Sequence, residues 1–376
     1  MAATGMTTME VRKINRHNIY TFIYEQKTTS KQAIVEALHL SLSTVTQNLK
    51  MLEEEGLICR SGYYESTGGR KAQTIEIVRD AQITLGIDIL KDRVHLTAVD
   101  LYGEVTAKIS RELPFSADDG YYRSLGTLAE DLIRENDLDP KRLLGAGIAI
   151  QGIITADGTA VSYGQILNHT GLKLSDLSRH IPCKSLLFHD SKAAARAELW
   201  GRKNLVNAIV LLLNQNMGGA LILNRQIFDG LSMHGGLIEH MCIDPDGPDC
   251  YCGKKGCLET YCSADSLKKA AGSSLDQFFR NVRRGDVKSC QIWNEYLEKL
   301  AYALRNLLIL LDSEVIVSGL LASYMTQDDF DRLETLVAEL SPFPIPEHIL
   351  LPGQHGPLAP AIGSALFFVE RWLSQV

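Results

Sequence analysis

The chain lacks any long apolar run. Its longest stretches, residues 209–213 and 307–311, fall far short of the ~20 residues a membrane-spanning helix needs. The opening MAATGMTTMEVRK has no apolar core of a secretory leader, so a cytoplasmic location is expected. Basic charge is not in excess either: 38 Lys and Arg stand against 45 Asp and Glu, a net charge of −7. A chain-wide cationic surface is thereby excluded, but a local one is not. Residues 1–80 hold ten basic and nine acidic side chains, the rest 28 and 36, so the acidity sits in the larger part. A composition of 45% hydrophobic and 22% charged residues excludes a disordered or fibrous chain. Its 376 residues suffice for two or three cores.

In the first eighty residues, helical periodicity covers 15–27, with Ile19, Phe22 and Ile23 on one face. Thr29 or Ser30 can cap a second helix over 31–38, and Ser41 a third running to about 55. In the third, Leu42, Val45, Leu49 and Leu52 form one stripe to be buried. Ser43, Gln47 and Lys50 then point away, with Thr44 on the flank. Short polar groups and an amide early in a helix suit entry into a major groove, where they reach base edges. Strand-like segments at 57–59 and 73–77 flank Ser66-Thr67-Gly68-Gly69-Arg70-Lys71, a wing with Arg70 and Lys71 near its tip for phosphates or a minor groove. Together these elements predict a winged helix-turn-helix DNA-binding domain at 1–80 and double-stranded operator DNA as a partner. A small helical domain that only packs on the rest is the alternative.

The chain changes character at Ala81. Strands are expected at 83–89, 94–99 and 105–109, a helix at 121–136 and a strand at 144–150. The order begins to recur with strands at 208–213 and 220–223, a long helix at 292–311 and a strand at 315–317. Two related α/β halves facing a cleft account for this, and a last helix at 359–374 can pack back on the first half. Ligands commonly bind in such clefts.

Four of the eight cysteines, Cys242, Cys250, Cys252 and Cys257, fall within 16 residues, in HMCIDPDGPDCYCGKKGCLE. His240, Cys250, Cys252 and Cys257 form H-x9-C-x-C-x4-C. One imidazole and three thiolates suit tetrahedral zinc, and four protein ligands leave no open position, so the ion is structural. Cys242 and Cys262 are expected to be buried apolar cysteines.

With its Gly253-x-x-Gly256-Cys257-Leu258-Glu259 segment, the chain resembles the ROK family of bacterial repressors and sugar kinases over nearly its whole length. The resemblance implies a two-lobed domain of actin and hexokinase (ribonuclease H-like) type with a zinc loop at 81–376. Lobe 1 would be about 81–190 plus a C-terminal helix at 357–376, and lobe 2 about 191–356. It also implies a homodimer or homotetramer, and the N-terminal winged helix places the chain with the repressors. Kinases of the family carry Asp-x-Gly-Gly-Thr where this chain has Asp88-Ile89-Leu90-Lys91-Asp92, and Gly-Thr-Gly where it has Asn214-Gln215-Asn216. A carboxylate facing phosphate is adverse, so kinase activity is not expected. Asp190 matches the family's catalytic base, here a degenerate one. It stands beside His189, where the family has Asn. His240 and Glu259 match sugar-contacting positions, and Asn168 resembles another. The family's Gly-Glu-x-Gly-His becomes Gly236-Leu237-Ile238-Glu239-His240, so Leu237 replaces a sugar-binding glutamate. A two-residue shift moves a side chain elsewhere, so Glu239 is not expected to substitute for it.

The function so implied is a repressor of carbohydrate-metabolism genes controlled by a sugar or sugar phosphate in a degenerate kinase cleft. The alternatives are a sugar kinase with a DNA-binding appendage and a constitutive DNA-binding protein with a dead pocket.

Overall fold

The computed structural model describes residues 7–63 and 73–376. Three capped helices open it. In α1 (Thr8–Gln26), Thr7 and Glu10 form a reciprocal capping box. In α2 (Lys31–Leu38), Ser30 Oγ accepts from Ala33 N at 3.2 Å, and in α3 (Leu42–Glu54), Ser41 Oγ accepts from Thr44 N at 3.1 Å. Each cap satisfies an otherwise orphaned helix N–H and contributes about 1 kcal/mol. Ile19, Tyr20, Ile23, Ile34, Val45, Leu49 and Leu52 are buried together between the helices.

Strands Ile58–Tyr63 and Gln73–Ile77 pair antiparallel as the stem of the wing, and Thr28–Thr29 adds a third strand. Arg70 and Lys71 lie outside the described residues. Three expectations need correction. Helix α1 starts at Thr8, not near residue 15. The first wing strand extends to Tyr63. Leu42 is 53% exposed, because the first helical residue projects beyond the core; Asn48 joins the buried stripe instead, its Nδ2 donating to Thr44 O at 2.8 Å.

The larger part contains two five-stranded sheets with one topology. In the first, Ile83–Ile89 lies between the antiparallel Arg93–Val99 and the parallel Leu143–Ile150, with Val105–Glu112 and Ser185–His189 at the edges. In the second, Ala208–Leu213 takes the central place, between antiparallel Met217–Leu223 and parallel Glu314–Ser318, with Gln226–Ile227 and Leu350–Pro352 outermost. Parallel strands need helical crossovers, and the helices Asp119–Glu135 and Val287–Leu310 supply them.

Two helices join the halves. Asp190–Trp200 packs on the second sheet and on Ala359–Leu373, which in turn covers the first sheet. Their approach requires Gly363: a Cβ there would stand 1.6 Å from Ala193 O. The winged domain docks on the first half and this C-terminal helix through one continuous apolar cluster. Tyr20 meets Trp372 edge-on at 5.4 Å, and Tyr24 stacks on Tyr102 at 4.7 Å while its hydroxyl donates to Leu101 O at 3.0 Å.

Candidate functional site

A cavity of about 280 Å³ opens between the halves, beyond the carboxyl ends of parallel strands, where ligands of α/β sheets bind. Strand Leu143–Ile150 delivers Gln151 to it, and strand Ser185–His189 delivers His189. Asp190 enters as the first residue of its helix, and Met217 as the first residue of its strand. The far wall is Leu237, Glu239 and His240 with Tyr251, Cys252 and Lys254 of the cysteine-rich loop.

The polar groups are buried and acidic. Asp190 Oδ1 accepts from Ser191 N at 2.7 Å and from Ser191 Oγ at 3.1 Å. His189 Nδ1 lies 3.2 Å from the same oxygen, though without hydrogen-bond alignment. Burial keeps His189 neutral, its pKa lowered from the ordinary value. Glu239 is 4% exposed, and its Oε2 has no partner among the described residues. Burial above all, then the charges of Asp190 and Glu259, pushes its pKa well up. Asp88 lies behind the cavity, fully buried, and neither of its oxygens has a partner among the described residues. Desolvation and the Asp190 charge hold its carboxyl far above the usual range.

Glu239, not expected to substitute for the glutamate lost at 237, nevertheless borders the cavity. Leu237 leads into a single 3-10 turn, Ile238–His240, and both Leu237 and Glu239 border the cavity. Glu259 occupies a different place from the one expected. Its Oε1 accepts from Asn216 Nδ2 at 2.8 Å and its Oε2 from Met217 N at 2.6 Å, so it braces the turn beside the cavity without lining it. Burial raises its pKa to about 7. Asn168 does not line the cavity either; it is exposed in the left-handed region at φ 50°.

The ligand atoms of His240, Cys250, Cys252 and Cys257 all lie within 4.8 Å of one another. Cys252 Sγ is 3.7 Å from Cys257 Sγ, and Cys250 Sγ is 3.8 Å from His240 Nδ1. Zinc–sulfur bonds of about 2.3 Å at tetrahedral angles place sulfurs about 3.8 Å apart, so the four donors fit such an ion. Gly253 and Gly256 have positive φ of 81° and 63°, the tight backbone that brings three sulfurs together. Of the remaining pair, Cys262 is buried as expected but Cys242 is exposed: it lies on a short bridge to Cys257 at the loop surface, not in the core.

At the other end of the cleft, the halves touch. Gln215 Nε2 donates to Asp92 Oδ1 at 3.0 Å and Oδ2 at 3.2 Å, while Gln151, which lines the cavity, donates from Nε2 to Asn216 Oδ1 at 3.4 Å. Asn214 Oδ1 accepts from Leu320 N at 2.8 Å.

In the winged domain, α3 presents Ser43, Gln47 and Lys50 to solvent, with Thr44 half-buried. Thr46 is also exposed, a residue that apolar periodicity alone did not single out. Lys50 Nζ lies 3.7 Å from Glu54, both fully in water, a pair too weak to hold the lysine back.

Residues 12–58 match the winged helix-turn-helix DNA-binding family, and residues 84–371 match the ROK family. The chain belongs to the ROK family. It is 24% identical to the xylose repressor of Bacillus subtilis (strain 168) across 97% of both chains. It is also 24% identical to the DNA-binding transcriptional dual regulator NagC of Escherichia coli (strain K12), over 72% of this chain and 68% of that one. The solved structure of a ROK family transcriptional regulator, a homologue of the E. coli Mlc protein, superposes with TM-score 0.75 at 18% identity, covering 97% of each chain. A ROK family glucokinase of Streptomyces griseus, solved with glucose and AMPPNP, gives TM-score 0.67 at 20% identity over 76% of this chain and 98% of its own.

Fold neighbours in the ROK family thus include both regulators and kinases. The winged helix and the full-length repressor relatives set this chain beside the regulators. No helix among the described residues is long and apolar enough to cross a membrane.

Proposed function

We propose that this ROK protein is a transcription repressor of carbohydrate-metabolism genes. Its operator affinity is set by a sugar or sugar phosphate bound between the lobes. One observation carries the reading: helix Asp190–Trp200 starts in the cavity and ends at the winged domain's support. Asp190 lines the cavity at one end. At the other, Trp200 Nε1 donates to Tyr102 O at 2.7 Å, and Tyr102 stacks on Tyr24 of α1. A ligand that favours one lobe closure shifts this helix, and with it the DNA-reading domain. Only a difference in ligand affinity between the two states can drive such a shift.

The relative named for xylose makes a monosaccharide or its derivative the effector class. His189, Asp190, His240 and Glu239 hold it; Glu259 and Asn168 act from beside the cavity. Zinc on His240, Cys250, Cys252 and Cys257 is structural. With Nδ1 on the metal side, the other imidazole nitrogen of His240 is left for the ligand, its orientation fixed by the ion. The chain performs no phosphoryl transfer, because Asp92 and Gln215 engage each other where a kinase cradles phosphates.

On DNA, Ser43, Thr44 and Gln47 read base edges, and Lys50, Arg70 and Lys71 contact the backbone or a minor groove. A homodimer or homotetramer supplies paired winged helices for a two-fold operator. Selection from randomised duplexes, then binding of variants, tests this. Gln47→Ala changes preference at one position by about 1–3 kcal/mol, whereas Lys50→Ala weakens every sequence and lowers the salt slope by about one. Uniform weakening by Gln47→Ala would refute the placement of α3.

A further inference from the structure

The cavity differs from the family pattern by an exchange. Where ROK sugar kinases have glutamate and then, two residues on, glycine, this chain has Leu237 and then Glu239. Both residues line the same cavity. The exchange removes a hydroxyl acceptor from one spot and adds a carboxylate at another. Leu237 offers nothing to a sugar hydroxyl: placed against it, that hydroxyl loses water and gains no partner. Ile153, Met217 and Tyr251 also line this small space, so apolar surface is available to a substituent that matches it. Glu239 carries the opposite sign of evidence. It is 4% exposed and its Oε2 lacks a partner among the described residues, a condition that buried polar atoms rarely keep without a ligand.

We propose that Glu239 takes over hydroxyl or N–H recognition from the position now held by Leu237, so that the effector is a sugar with an apolar group at the ring position facing Leu237. That group is a deoxy carbon or the methyl of an acyl substituent. The inference rests on the sugar-sensing reading above and narrows it. It makes Leu237 and Glu239 the specificity-determining pair, with Asp190 and His240 common to the family's sugar site.

The test uses the full-length, zinc-loaded protein in calorimetric titrations. The probes are D-glucose, D-xylose, the D-glucose analogues lacking each hydroxyl in turn, N-acetyl-D-glucosamine and N-acetyl-D-mannosamine. The wild type should bind at least one deoxy or N-acetyl sugar ~10-fold or more tighter than glucose, the scale of a misplaced polar group in an apolar subsite. Which arm responds separates the deoxy from the acyl source. Leu237→Gln should narrow that ratio, and Leu237→Glu combined with Glu239→Gly should reverse it. Glu239→Gly alone should weaken all sugars. Metal content and unliganded midpoint report folding, and Leu237→Gln, a neutral and nearly isosteric change, stands in if the double variant fails to fold. Glucose binding as tightly as every analogue, or a ratio unmoved by Leu237→Gln, overturns the inference while leaving a sugar sensor. No binding of any sugar to wild type overturns the sensor reading, and this inference with it.

Discussion

The two ends of the interlobe cleft have diverged in opposite ways. At one end the walls stand apart around a cavity bordered by Glu239, whose Oε2 lacks a partner among the described residues. At the other, Asp92 and Gln215 reach across and satisfy each other. One end holds a buried polar atom without a partner among the described residues; at the other, polar side chains bond to each other. A buried polar group without a partner costs free energy, and retaining one implies a use.

The largest effect that would sharpen this contrast lies in the metal loop. Cys257→Ala removes one of four donors and lets Tyr251, Cys252 and Lys254 leave the cavity wall. Loss of bound zinc, a lowered unfolding midpoint and loss of the response to sugar are expected together. Full sugar response in a zinc-free variant would break the link between loop and cavity.

Next comes the core behind the first turn. Burial lowers the pKa of His95 from the ordinary 6.5 to about 4. Between those values the unfolded chain takes up a proton and the folded one does not, so stability falls as pH drops from 6.5 to 4. Relative to wild type, His95→Gln should therefore gain stability over that window, by at most about 3 kcal/mol. Denaturant unfolding at pH 7.5 and 5 measures it, and parallel losses in both proteins would contradict the burial argument.

Trp200→Phe keeps an aromatic side chain, though a smaller one, and removes the indole N–H that bonds to Tyr102 O. Sugar affinity and DNA affinity should each change about 2-fold or less, while the effect of one on the other falls; coupling of ordinary size is about 5-fold or more. Unchanged coupling would move transmission to another contact, such as Tyr20 on Trp372.

The smallest effect is at the closed end. Gln215→Ala removes one hydrogen bond to an exposed carboxylate and should cost about 1 kcal/mol or less. It should create no thermal shift with MgATP and no ADP release. Nucleotide binding by the wild type, or its appearance in this variant, would erase the distinction between the two ends.

Much of this was legible beforehand, for physical reasons. The grouping of His240 with Cys250, Cys252 and Cys257 could be read because donor type and spacing are local. Helices α2 and α3 could be read because Ser30 and Ser41 are strong caps. The repeated sheet was visible because parallel, doubly covered strands are continuous apolar runs. The start of α1 was hidden because its first turns are exposed and its start signal is a capping box in a polar stretch. Thr28–Thr29 is too short to show a period. That Glu239 borders the cavity was not legible, because residues 238–240 form a 3-10 turn that sequence spacing does not reveal. The Asp92–Gln215 contact joins residues 123 apart, and no local pattern announces it.

The central claim is that a sugar between the lobes changes DNA binding by the winged helix. Its most direct test is the affinity of a selected duplex, measured at fixed salt with and without a saturating sugar that raises the unfolding midpoint. The account predicts a change of about 5-fold or more, with the duplex altering sugar affinity by the same factor, as linkage demands. Equal duplex affinity with the sugar site empty and full would contradict it.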